Sequence, residues 1–425
     1  MISTRHLTTL AVALGIATAL PAQTFTTIAD TTTPIPGKSG NFELFSSSGS
    51  IDAAGNVAFI STPGSSLPDY PYTYTQYPGI YLKTADGLSR IADHTVSGGE
   101  FKAFSGVSID DGRVGFRATD AGNSNGLYFY NGTSYTSWAN SSTSIPSGSG
   151  NFDGFGASYL RGSTMTFIGN NAGYTQLGIY TTDATGTNTV KILDKNTTIP
   201  GMAGSYGFSS ELAVTATGNI AFAANTTPGV MTLLGAYSNE HGLVTLANTS
   251  TAVPGQAGSF SKFESPPDLD GDLVLFKGYF NNNAGVGLYT QDIAGGTISL
   301  LVDTSMTALG GTGNFTGFGG FATDNGHIAF LGNYSGGSAI YLYDNTILSR
   351  LIGTGDLVDG HTITSLAFSQ EGLAGDYLVF RAGFDGGSGI YSTMLVSAVP
   401  APSTYALIAG SLFLGLTVWR RRKSS

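Results

Sequence analysis

GNVAFI, residues 55–60, returns six times along the chain in altered form: GRVGFR (112–117), STMTFI (163–168), GNIAFA (218–223), GDLVLF (271–276), GHIAFL (326–331) and DYLVFR (376–381). The phenylalanines are Phe59, Phe116, Phe167, Phe222, Phe276, Phe330 and Phe380, at spacings of 57, 51, 55, 54, 54 and 50 residues. A second marker follows each one, in phrases such as GIYL and GLYF, and places Tyr81, Tyr128, Tyr180, Tyr237, Tyr289, Tyr341 and Tyr391. A third precedes each one: Phe45, Phe104, Phe155, Phe208, Phe263, Phe318 and Phe368. Three markers in one order, seven times, define seven repeats.

Each repeat holds four short strand signals, A to D in chain order. In the second repeat these are FKAFSGVSI (101–109), RVGFRA (113–118), GLYFY (126–130) and YTSWA (135–139). Short apolar or alternating runs divided by Gly, Asn and Asp turns are the mark of strands. Four strands per repeat of this length is the pattern of a β-propeller blade. The expected fold is therefore all-β, a seven-bladed propeller over residues 23–397. The ends are complementary: the last repeat lacks a D strand, and TFTTIAD (24–30) is a D-type strand without a repeat, matching LSRIAD (88–93) and ISLLVD (298–303). The N-terminal strand is expected to complete the last blade, which removes two sheet edges that would otherwise pair with other chains.

Composition agrees. The chain has 61 glycines in 425 residues, no cysteine, 11% charged residues and a net charge of −10. Without cysteine there is no disulfide and no thiol nucleophile. An acidic body repels phosphate backbones, so no nucleic-acid partner is expected.

The two termini carry addresses. Arg5 and His6 precede an apolar stretch from Leu7 to Leu20 and then Pro21-Ala22-Gln23, which reads as a secretory signal peptide over residues 1–22. At the other end Val399-Pro400-Ala401-Pro402-Ser403 leads into an uncharged run, 405–419, and then Arg420, Arg421, Arg422 and Lys423. The run is short for a bilayer span, but its aromatic ends and trailing cations follow the membrane-stop pattern, with the cations on the cytoplasmic side. The stretch 398–425 resembles the PEP-CTERM sorting tail of Gram-negative bacteria, in which a Val-Pro-Glu-Pro-like motif precedes a short span and an Arg cluster; Ala401 stands at the family's Glu position. The resemblance implies a C-terminal transmembrane helix, processing by an exosortase, and a place at the cell surface, in the envelope or in an extracellular matrix.

Function is less legible. The B-to-C connection of the first repeat, 61–79, is far longer than its counterparts and carries Tyr70, Tyr72, Tyr74 and Tyr77. Tyrosine offers an apolar face and a hydroxyl, which suits sugar or protein surfaces, and long loops on rigid scaffolds often carry function. The equal alternative is an aromatic cluster folded over its own disc to cover a core edge. Tyr279 and Asn281–Asn283 belong to the same face, and Trp138 is expected to pack between blades. The loops entering each A strand repeat one theme, as in TTPIPGKSGNF (32–42) and TAVPGQAGSF (251–260), and open on Asp30, Asp93, Asn140, Asp194, Asn248 or Asp303. These side chains are expected to bond nearby backbone N–H groups and not to form a ring of cation ligands. DLDGD (268–272) places Asp268, Asp270 and Asp272 at the spacing of calcium ligands, but lacks the distant bidentate acid; a tight turn is preferred and no cofactor is expected.

No zinc spacing, no GxSxG elbow and no cysteine is present, and His94, His241, His327 and His361 fall in four different repeats. Glu43, Glu100, Glu211, Glu264 and Glu371 lie in or near A strands and become catalytic candidates only if they converge on the axis. The expected role is non-catalytic binding of polysaccharide or an envelope partner. The alternatives are a glycosidase or lyase working through channel carboxylates, and a structural matrix component.

Overall fold

The computed structural model describes residues 23–62, 79–94, 101–183, 185–200, 207–225, 231–264, 266–344 and 347–395. The signal-peptide segment, Tyr70, Tyr72, Tyr74 and Tyr77, the motif Val399–Ser403, the run 405–419 and the cations Arg420–Lys423 all lie outside these residues. Among the described residues no helix is long and apolar enough to cross a membrane.

Thr24–Leu395 form one compact unit of seven antiparallel sheets. Blade 2 shows the plan: strand A (Phe101–Asp110), strand B (Arg113–Asp120), strand C (Asn125–Tyr130) and strand D (Tyr135–Asn140) pair in that order. The A strands of the other blades are Leu44–Phe45 with Ser50–Ile51, Gly154–Arg161, Gly207–Val214, Lys262–Phe263 with Asp268–Asp270, Phe315–Asp324, and His361–Ala367 with Leu373–Ala374. Each A strand touches the A strands of both neighbouring blades, and the contacts run full circle, so A is the innermost strand and surrounds the axis.

The ring closes as the sequence predicts. Thr26–Asp30 pairs antiparallel with Gly387–Met394, with Thr26 opposite Ser392 and Asp30 opposite Gly389. The N-terminal strand is thus strand D of blade 7.

Among the described residues the buried apolar side chains fall into seven clusters, one at each junction between blades. Each blade lends one face to each neighbour, which is how a single sheet with two apolar faces escapes water. Within six blades the marker Phe of strand B stacks on the marker Tyr of strand C, as Phe116 on Tyr128 at 5.4 Å and Phe330 on Tyr341 at 5.3 Å. Blade 4 departs from the expected alignment. Phe222 pairs with Gly235, and Tyr237 falls opposite Ile220. The Phe222 ring fills the space over Gly235, where an added Cβ would lie 2.6 Å from Cζ. Tyr237 is therefore not the equivalent of the other six tyrosines.

Every C–D pair carries a β-bulge at the same level, with an apolar residue bulged out: Ile28, Ile91, Trp138, Ile192, Leu246, Leu301 and Leu351. Bulges add twist to a strand pair. Trp138 is buried, stacks on Phe129 at 4.4 Å and joins the cluster between blades 2 and 3, as expected.

Candidate functional site: the axial channel

The loops entering the A strands have a structural purpose. The Asp30 carboxylate accepts bonds from Thr32 N at 2.8 Å and from the hydroxyls of Thr32 and Thr33, while Asp30 N donates to Thr33 Oγ1 at 2.9 Å. Asn140, Asp194 and Asn248 repeat the pattern with Thr143, Thr197 and Thr251. The loops after Asp30, Asn140, Asp194, Asn248 and Asp303 then each drop an apolar side chain into a junction: Ile35, Ile145, Ile199, Val253 and Ala308 are all buried. For Asp194, burial works against the charged form, but the bonds from Lys191, Asn196 and Thr197 outweigh it and hold the carboxyl below the usual carboxylate range.

The A–B turns do more than the sequence suggested. Asp52 accepts from Gly112 N in the next blade at 2.8 Å, and Asp270 from Gly326 N at 2.9 Å. Asp110 accepts in the same way from Gly162 N, and Asp324 from Gly375 N. One layer deeper, Ser50 Oγ accepts from Ile109 N, Ser108 Oγ from Leu160 N (both 3.1 Å) and Asp268 Oδ2 from Thr323 N at 2.7 Å. Successive A strands are laced together by side chains that bond the next blade's backbone. The sequence sign was the repeated Ser/Asp-x-Asp, as in SID at 50–52 and 108–110 and DLD at 268–270. Asp268, Asp270 and Asp272 each take a different partner, Asp272 accepting from Asn219 Nδ2 at 2.7 Å. Among the described residues no group of three His, Asp or Glu side chains is placed to hold a metal ion.

Of the five glutamates, Glu371 reaches the axis. It sits on a single 3-10 turn, Gln370–Gly372, that interrupts the A strand of blade 7 and pushes inward. Gly320 of blade 6 makes room for this segment, since a Cβ there would run into the Phe368 carbonyl. Glu371 Oε1 accepts from Arg161 Nη2 at 2.6 Å, and Oε2 from Ser50 Oγ at 2.9 Å and Ser108 Oγ at 2.8 Å. Gln370 Nε2 donates across the axis to Leu212 O at 2.9 Å. Groups from blades 1, 2, 3, 4 and 7 thus form a waist. Burial opposes the charge on Arg161, but Glu371 beside it holds its pKa above the ordinary value.

The waist divides two mouths. On the face of the D-to-A and B-to-C connections lies a cavity of about 690 Å³, lined by Ser46, Ser47, Ser105 and Ser158, by Phe104, Phe155 and Tyr159, and by Arg117. Arg117 donates through Nε to Ser105 Oγ at 2.7 Å and through its terminal nitrogens to the Ser105, Phe155 and Gly156 carbonyls. Lys277 and Arg381, at the matching B-strand positions, donate to Phe318 O and Phe45 O. These cations link one blade to the next. On the A–B turn face lies a second cavity of about 350 Å³.

Among the described residues the remaining candidates do not converge. Glu43 is exposed, Glu264 pairs with Lys262, and Glu100 lies outside the described residues, as does any account of the Glu211 side chain. His94 bonds Phe101 O at 2.7 Å, and His361 stacks on Phe384. Asn281, Asn282 and Asn283 form a turn with three successive positive φ angles (51°, 53° and 70°), and Lys262 lies 4.3 Å from the Tyr279 ring centroid.

One family model matches residues 17–406, nearly the whole chain. The chain belongs to the DUF7453 family. That family is described as one of unknown function. None of the curated proteins matches the chain in sequence. Among solved structures, the β-propeller domain of the trilobed protease from Pyrococcus furiosus matches with a TM-score of 0.50 at 11% identity, covering 83% of this chain and 93% of that one. An oligogalacturonate lyase in complex with manganese matches with a TM-score of 0.50 at 12% identity, covering 89% of this chain and 100% of that one. At these identities the likeness establishes the propeller fold alone. The Pyrococcus domain is described as having an open velcro topology; in this DUF7453 chain Thr26–Asp30 closes the ring.

Proposed function

We propose that this DUF7453 chain is an exported propeller that binds polysaccharide or an envelope partner at its wider mouth and performs no reaction there. The observation that carries the reading is the makeup of the 690 Å³ cavity. Its walls offer serine hydroxyls, glycine backbone and aromatic surface, the groups that hold a sugar through hydrogen bonds and ring contacts. Among the described residues its one carboxylate, Glu371, is already bonded to Arg161, Ser50 and Ser108. A general acid or base must be able to exchange its proton with substrate, and a carboxylate held by three donors is poorly suited to that task. The loop 61–79, with its four tyrosines, belongs to a B-to-C connection on the same face and would extend the surface.

The termini supply the address. Residues 1–22 act as the export signal, and the PEP-CTERM-like tail, with Val399–Ser403, the span 405–419 and Arg420–Lys423, presents the propeller at the cell surface or in the matrix after exosortase handling. A glycan array tests the binding. The full chain is expected to retain a defined set of glycans, with the signal lost on deletion of 61–79 and on Ser158→Trp, which fills the mouth. An intact chain that retains nothing refutes the glycan form of the proposal. Release of reducing or unsaturated sugar ends, abolished by Glu371→Gln, would establish the hydrolase or lyase alternative instead.

A further inference from the structure

The narrower mouth has a different chemistry. Among the described residues six acids line its 350 Å³ cavity, Asp52, Asp110, Asp268, Asp270, Asp324 and Glu371, against one base, Arg161. Glu371 and Arg161 are spent on each other at the waist. Five aspartates from four blades remain. Their tethers to neighbouring backbone N–H groups fix each carboxylate at the rim and at the deeper layer without supplying a countercharge. Burial pushes the Asp268 and Asp324 carboxyls up, with repulsion from Asp270 adding to the effect at Asp324.

A second observation is independent of the acids. Thr323 and Gln370 line the same cavity and are 4% and 7% exposed, and neither Thr323 Oγ1 nor Gln370 Oε1 has a hydrogen-bond partner. Buried oxygens without a donor are costly and mark a place where a ligand donor belongs. Ile51, Ile109, Val214, Leu269 and Leu373 also border the cavity, though each is packed in a cluster between blades. The acids are spread around the cavity, and no three of them, among the described residues, are placed to share a metal ion. Oxygen acceptors at depth beneath a rim of aspartates describe the complement of an ammonium group.

We propose that the mouth framed by the A–B turns binds an alkylammonium group, carried either by a free linear polyamine or by a lysine side chain. Long-range attraction into a low-dielectric opening lined by one sign of charge gathers such cations. The bonds that ammonium N–H groups make to Thr323 and Gln370 would select them over bare ions.

The test is calorimetric titration of the full chain in non-ionic detergent with spermidine, with Nα-acetyl-lysine methylamide and with calcium chloride. One equivalent of amine is expected to bind, and whichever amine binds more tightly identifies the source. Asp270→Asn/Asp324→Asn keeps oxygen acceptors for Gly326 N and Gly375 N while removing two charges, and is expected to weaken amine binding by about tenfold or more. Thr323→Val leaves the turn tethers in place and is expected to weaken it by about threefold. Absence of amine binding, amine binding unchanged in both variants, or saturation by calcium without any response to amines overturns the proposal.

Discussion

Replacing Glu371 by alanine tests the waist, because one side chain there holds three blades. The carboxylate is 9% exposed and accepts from Arg161 at 2.6 Å, from Ser50 at 2.9 Å and from Ser108 at 2.8 Å. Removing one partner of a buried ion pair costs about 3–5 kcal/mol, chiefly because the other charge is left uncompensated. The Arg161 side chain is 25% exposed, so water recovers part of that loss, and about 3 kcal/mol remains. The compact unit Thr24–Leu395 spans 372 residues (395 − 24 + 1). At about 2.1 cal/mol/K per residue its unfolding entropy is about 0.8 kcal/mol/K, so the melting temperature should fall by about 4 °C. Thermal unfolding followed by circular dichroism reads this directly. A double-mutant cycle with Arg161→Ala should show a coupling of about 1–3 kcal/mol, since the double variant buries no orphan charge. A melting temperature within about 1 °C of wild type, or single effects that merely add, would refute the account of the waist as a coupled buried pair.

Deletion of residues 24–30 should lower the melting temperature and produce concentration-dependent association on size-exclusion chromatography, because it uncovers the edge of Gly387–Met394 and removes buried Ile28 and Ala29; an unchanged monomer would show that closure contributes nothing. Gly235→Ala sets a Cβ 2.6 Å from Phe222 Cζ and should cost about 1–3 kcal/mol by overpacking, read as a shift in urea midpoint with an unchanged slope. Asp194 has a lowered folded-state pKa, so its contribution is present above the unfolded value near 3.8 and is lost as pH falls through the folded value. Stability measured from pH 6 down to about pH 2 should therefore decline less steeply in Asp194→Asn than in wild type, and identical slopes would contradict the assignment.

The repeat was legible because its residues are chosen by local packing. A Phe on strand B and a Tyr on strand C stack within one blade, and each blade must solve that problem again. The same reasoning read Asp30, Asn140 and Asp194 correctly, since their hydrogen bonds reach only two or three residues along the chain. It failed at Tyr237, where the phrase GAYS imitated the marker while Gly235 held the register position. It also read the A–B aspartates as turn residues. Their second role, accepting from the next blade's backbone about 50–60 residues away, leaves only the recurring Ser/Asp-x-Asp pattern in the sequence, and that pattern does not name the partner.

Seven repeats, four strands in each, and complementary ends were determined by the sequence alone, because strand period, turn residues and aromatic markers recur at short range. Which glutamate meets the axis, which arginine faces it, and how the aspartates of blades 1, 2, 5 and 6 come to surround one mouth were decided only by the tertiary structure. Glu371 and Arg161 are 210 residues apart in sequence and 2.6 Å apart in space. Ring closure brings every A strand to one axis, and charges that are unrelated along the chain become neighbours there.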